Sequence, residues 1–269
     1  MSLLTLLAAP SRPPDPFKAP GLEIFEAPCL TEFDAFGVHF CVNRVTIYMF
    51  LASLIVISLF VAAASRSDQL VPRGIRNFVE VVVEFVRNQI AIEVIGPEGR
   101  AWVPFLTSMF TFLLVGNLFG VIPGIQYPIN GRMAIPAFLA ILTWVLFIVT
   151  GVRHQGPAYF KNALFPPGVP KAMYILVTPI ELVSTFLVRP LTLSVRLLAN
   201  MMAGHLVLAI FFLGSAYLFA KPSTWAFAVP SFALSVALIA FEILVAVLQA
   251  YIFTILTAVY VAGAMHPEH

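Results

Sequence analysis

The sequence predicts an all-α integral membrane protein: five membrane-embedded helical elements plus one interfacial amphipathic helix, the last two elements forming a long, strongly tilted hairpin. Composition is the first observation behind this. Of 269 residues, 60% are hydrophobic and 10% are charged, with a mean hydropathy of +0.96, whereas about a quarter of a soluble domain is charged. The second is a series of apolar runs near the ~20 residues that a helix needs to cross a bilayer. The third is a pair of far longer runs, 172–220 and 225–264. The net charge of +2 carries no nucleic-acid signal, because the basic residues are scattered singly with no basic patch beside aromatics.

Taken in order, residues 1–45 are proline-rich, contain Asp15, Glu23, Glu26, Glu32 and Asp34, and hold no span. The opening MSLLTLLAAPSRPPDP lacks a basic start and a long apolar core, so it is not expected to act as a signal peptide. Cys29 and Cys41 lie in this segment, away from any metal-ligand spacing. An extracytoplasmic location would allow them a disulfide; two unrelated thiols are the equal alternative. The first span is 46–64, followed at once by Arg66, Arg73 and Arg76. In 74–95, Arg76, Glu80, Glu84 and Arg87 recur at spacings of four, four and three, which lines one helical face. That pattern predicts an amphipathic helix along the cytoplasmic interface.

The second span, 101–122, carries Asn117, and a turn with Pro123, Gly124, Pro128, Asn130 and Gly131 leads to the third span, 133–152. Arg153, Lys161, Pro166, Pro167, Pro170 and Lys171 make the next polar loop. Lysine and arginine concentrate in the loops from Arg66 to Arg100 and from Arg153 to Lys171, while the opposite turns hold only Arg132 and Lys221. Cytoplasmic loops carry the excess of these residues, so the N-terminal segment 1–45 is expected outside and the C-terminal residues His266 to His269 inside. Residues 46–269 are then one membrane domain.

As continuous helices the two long runs would measure about 70 and 60 Å at ~1.5 Å per residue. The hydrocarbon core is ~30 Å thick, and ordinary tilts of ~20° do not absorb such an excess. No polar turn divides either run, although Pro179, Pro190 and Pro230 permit kinks. The solution is a hairpin of strongly inclined helices joined near Lys221, Pro222 and Ser223.

Its polar content points to function. Arg196 lies at the centre of the first run, where a guanidinium costs roughly 2.5–3.5 kcal/mol on insertion scales. Arginine cannot relieve that cost by losing its proton. Arg196 and Asn200 are four apart; Arg189 and Arg196 are seven apart, as are Glu242 and Gln249. Seven residues return to within ~20° of one direction, so each helix carries a polar face. Arg189 can equally snorkel to the interface, and Asn200 and Gln249 can simply bond across helices. Histidine and glutamate both change charge within reach of cellular pH, so His205 and Glu242 suit proton transfer. The chain holds no second carboxylate suited to Arg196, so its anionic partner is expected on another polypeptide. The rivals are a proton-coupled secondary transporter, against which stands the absence of internal repeats, and a scaffold whose polar residues only join helices.

At these residues the chain resembles subunit a of the F-type ATP synthase. The stretches are RPLTLSVRLLANMMAGH at 189–205, FEILVAVLQAYIFTILTAVY at 241–260 and GNLFGVIPG at 116–124. The order of elements over 40–269 agrees, and the first forty residues resemble nothing firmly. The resemblance implies a non-catalytic stator subunit with no cofactor or metal, in a bacterial plasma membrane. Arg196 matches the arginine facing the rotor carboxylate. Asn117, Asn200, His205, Glu242 and Gln249 match the half-channel open to the outside, and Glu181 falls where an acid lines the inner one. In that family the histidine and acid at positions 205 and 242 occur in either order. The implied partners are the c-subunit ring, b-type peripheral stalk subunits and, through them, the F1 catalytic head, besides membrane lipid. Selectivity for sodium would lie largely in the rotor's own site, and His205 with Glu242 favours protons.

Overall fold

The computed structural model describes residues 20–25, 28–35, 38–65, 73–122, 125, 127–165 and 173–265. The expectations for Asp15, Glu26, Arg66, Pro123, Gly124, Pro166, Pro167, Pro170, Lys171 and the last four residues lie outside them.

The N-terminal segment begins with a 3-10 turn, Leu22–Phe25, and a hairpin of β1 (Thr31–Ala35) and β2 (Val38–Val42). The strands are antiparallel, with Phe33 opposite Phe40. A disulfide joins Cys29 to Cys41, which decides between the two sequence readings. Closing so short a loop removes unfolded-state entropy, worth about 2–4 kcal/mol. Sequence patterning gave no strand here.

Helix α1 (Arg44–Ala64) starts at Asn43, whose side chain accepts from the Thr46 amide at 3.0 Å, the ordinary N-cap bond. Helix α2 (Ile75–Val86) continues as a π-helical stretch, Arg87–Ile95. Its polar face is as expected: Glu80, Glu84 and Arg87 are exposed while Val79, Val86 and Ile90 are buried. The Phe85 ring meets Phe110 and Tyr251, each at 5.9 Å between centroids. The wide turns bring the Ala91 carbonyl onto Gly99, where any side chain would collide with it.

Helix α3 (Val103–Leu118) follows a 3-10 turn, and α4 (Ala134–Gln155) comes after the next turn. The short α5 (Ala158–Leu164) is fixed by Tyr159, whose ring covers Gly151. Burial pushes the Tyr159 phenol above its usual range, against a smaller opposing pull from Arg189.

The hairpin has the expected length. Helix α6 (Tyr174–Val183), a π turn (Ser184–Val188) and α7 (Arg189–Phe219) form one unbroken element of 46 residues. The π turn widens directly before Pro190, whose ring cannot sit against a regular preceding turn. A 3-10 turn, Pro222–Thr224, then leads into α8 (Trp225–Met265). Thr224 Oγ1 closes that corner by donating to the Leu218 carbonyl at 2.7 Å. Among the described residues five elements are long and apolar enough to cross a membrane, so the chain is a multi-pass membrane protein. The core gathers where α3, α4 and α7 pack on α8, through Leu106, Leu113, Phe147, Leu197, Phe253 and Val261. Alanines 246, 250 and 258 on α8 are fully buried; small side chains let membrane helices approach closely.

Candidate functional site

Three observations fix the register of the hairpin. The Arg189 guanidinium lies over the Tyr260 ring, 5.5 Å from its centroid. Asn200 Nδ2 donates to Gln249 Oε1 at 2.7 Å. A Cβ on Gly204 would sit 3.7 Å from Glu242 Oε1. Arg189 therefore does not snorkel freely; it caps one end of a ladder whose other end is Gly204 and Glu242.

Burial then sorts the polar residues. Leu193, Leu197, Met201 and His205, at successive spacings of four, form the buried stripe of α7. Arg196 and Asn200 lie on the adjoining, exposed side. On α8, Ser235, Glu242 and Gln249 are buried at spacings of seven. The predicted faces are present, with His205 turned inward from the arginine face.

Helix α3 completes the cluster. Asn117, fully buried, donates through Nδ2 to the Ala246 carbonyl at 3.2 Å, midway between Glu242 and Gln249 on α8. Its Oδ1 accepts from Asn130 Nδ2 at 2.6 Å. Sequence patterning assigned Asn130 to a turn; its only signal was an amide among prolines and glycines, which turns favour anyway.

His205 and Glu242 share no hydrogen bond or ion pair among the described residues. His205 Nδ1, both Glu242 oxygens, Gln249 Nε2 and Asn130 Oδ1 are buried without a protein partner. Instead of the direct pair that the sequence suggested, these are separate buried polar groups. Buried polar atoms left unpaired cost about 1–3 kcal/mol each, so this patch suits water and a passing proton better than a static core.

Arg196 is exposed, and none of the ion pairs among the described residues includes it. Beside it on α7, Val195 and Ala199 are exposed as well. A permanent charge thus stands on an apolar flank. Glu181, fifteen residues earlier, is about 22 Å away along the helix. It is half-buried and is not brought to the cluster. Among the described residues no group of three His, Cys, Asp or Glu could hold a metal ion.

The N-terminal segment also reaches this region: Phe25 is buried and its ring lies 5.7 Å from that of His205. Nothing in the sequence pattern marks this contact. The Phe25 carbonyl accepts from the Tyr127 hydroxyl at 2.7 Å, so the segment packs against the α3–α4 turn.

Comparison with known proteins places the chain in a known family. The family model for the ATP synthase A chain matches residues 46–262. A Frankia alni protein named ATP synthase subunit a is 43% identical over 256 residues, covering 94% of this chain and 88% of the relative. Proteins of the same name from Rhodococcus erythropolis and Gluconacetobacter diazotrophicus are 39% and 38% identical, covering 98% and 81% of this chain and 94% and 86% of theirs.

Proposed function

Because the chain belongs to the ATP synthase A chain family, we propose that it is the proton-channel stator subunit of an F-type ATP synthase, with two offset half-channels separated by Arg196. The observation that carries this reading is the buried cluster of Asn117, His205, Glu242 and Gln249, bonded to Asn200, beside an arginine exposed on an apolar flank.

A proton enters from outside through the cluster, moves between His205, Glu242 and intervening water, and neutralises a carboxyl group on a ring of c subunits. The neutral carboxyl turns into lipid without the large cost of burying a charge. On its return it meets Arg196, which favours the ionised form by Coulomb attraction, and its proton leaves past Glu181 to the cytoplasm. The fixed positive charge also bars protons and other cations from crossing directly between the half-channels. The subunit itself makes and breaks no covalent bond beyond these proton transfers. Peripheral stalk subunits hold it against the ring and couple it to the catalytic head.

The Cys29–Cys41 disulfide supports an N-terminal segment outside the cytoplasm. It agrees with the lysine and arginine distribution, with the amphipathic α2 along the inner interface, and with a C-terminus inside a bacterial plasma membrane.

The test is proton flux in inverted vesicles holding the whole complex. Arg196→Ala and Arg196→Lys should both abolish ATP-driven pumping, and Arg196→Ala alone should gain a passive leak. Pumping that survives in both variants would overturn the stator reading.

A further inference from the structure

Phe25 lies outside the region matched to the family, 46–262, yet it is 6% exposed while Gly21, Glu23 and residues 28–32 around it are exposed. Three contacts hold it. Its ring meets His205 edge-to-face, with 62° between the planes. Its carbonyl takes the Tyr127 hydroxyl. Its ring also rests on Gly131, where an added Cβ would lie 3.1 Å from Cδ1. Gly131 directly follows Asn130, so one aromatic ring bridges the histidine and the turn that supports Asn117. The disulfide at Cys29, four residues later, ties the segment into a closed hairpin just beyond it.

We propose that Phe25 is a positioning residue for proton entry: wedged between the α3–α4 turn and His205, its ring holds the imidazole in one orientation and narrows the outer approach to it. The inference rests on the reading of His205 as an entry group. A histidine ring turns broadly about its last torsion, and an edge-to-face neighbour restricts that rotation. His205 Nδ1, buried without a partner, is thereby kept facing one region rather than sampling several. Proton transfer depends on such geometry before anything else.

Among the described residues the ionisable groups near Phe25 and His205 are few. Glu242 comes from α8 through Gly204; Tyr127 and Arg132 come from the turn, and Arg44 from the start of α1. Helix α4 carries none before Arg153, and Glu23, beside Phe25, is exposed. Burial raises the Tyr127 phenol, with Arg132 and Arg44 pulling the other way, so it stays a neutral donor to the Phe25 carbonyl near neutral pH. A pH-dependent change on removing Phe25 is therefore read at His205 and Glu242.

The experiment measures ATP-driven pumping against pH in vesicles with the whole complex, normalised to assembled enzyme, for wild type, Phe25→Ala, Phe25→Leu and His205→Ala. Phe25→Ala should lose about tenfold in rate, part of what positioned proton transfer supplies, and its pH profile should move toward that of His205→Ala. Phe25→Leu keeps apolar volume without the ring; it guards against poor assembly of the alanine variant and should show the same displacement. A wild-type profile for Phe25→Leu, with His205→Ala displaced, overturns the positioning role and leaves His205 as an entry group. A wild-type profile for His205→Ala overturns the entry reading and this inference with it.

Discussion

Toward the hairpin tip, α7 and α8 are joined by the Asn200–Gln249 bond and the Gly204–Glu242 contact, and α3 adds Asn117. At the other end, α6 has no buried residue, and Glu181 stands with Ile180, Leu182 and Val183 exposed around it. The same helical element is therefore finished on one side by its own chain and left open on the other. In the proposed assembly a proton path through the first region would be walled by this polypeptide, and one through the second would take its remaining wall from the ring.

Paired substitutions can break this contrast. The largest effect is expected for Glu242→Gln, which should slow ATP-driven pumping by about tenfold or more and displace its pH dependence. An unchanged profile would mean the carboxyl is only structural. Glu181→Gln should slow pumping less, since water and the neighbouring wall share its work; a loss equal to that of Glu242→Gln would erase the asymmetry. Asn117→Ala removes two buried hydrogen bonds and strands the Asn130 amide, so thermal unfolding of the purified complex should show a loss of about 1–3 kcal/mol. A wild-type melting curve would mean that water replaces the asparagine. The smallest effect is expected for the Asn200–Gln249 bond. A double-mutant cycle with leucine at both positions should give a coupling near ~0.6 kcal/mol, the usual value between membrane helices. A coupling several times larger would make this bond the organiser of the hairpin.

Much of the architecture was legible because membrane helices are long and their charges rare. The spans, the twofold length of the hairpin and the faces of Arg196 with Asn200 and of Glu242 with Gln249 follow from period and hydropathy alone. The boundary at Leu118, earlier than the apolar run suggests, reflects Gly120 and Pro128 packing together at the turn. The π turns did not show, because hydropathy is blind to one inserted residue in a helix. The β-hairpin did not show either: five-residue strands with Asp34 and His39 facing each other give little alternation. Asn130 and Phe25 were hidden for a deeper reason. Their roles come from contacts across 13 and 180 residues of chain, and no local pattern encodes such a meeting.

Gly204 sets a limit on heredity as well as on packing. A methyl group there stands at ordinary contact distance, 3.7 Å, from the Glu242 carboxylate, so alanine is one harmless step away. Any longer side chain collides with that acid unless position 242 has shortened first. A change at Gly204 to anything larger than alanine therefore depends on what stands at position 242.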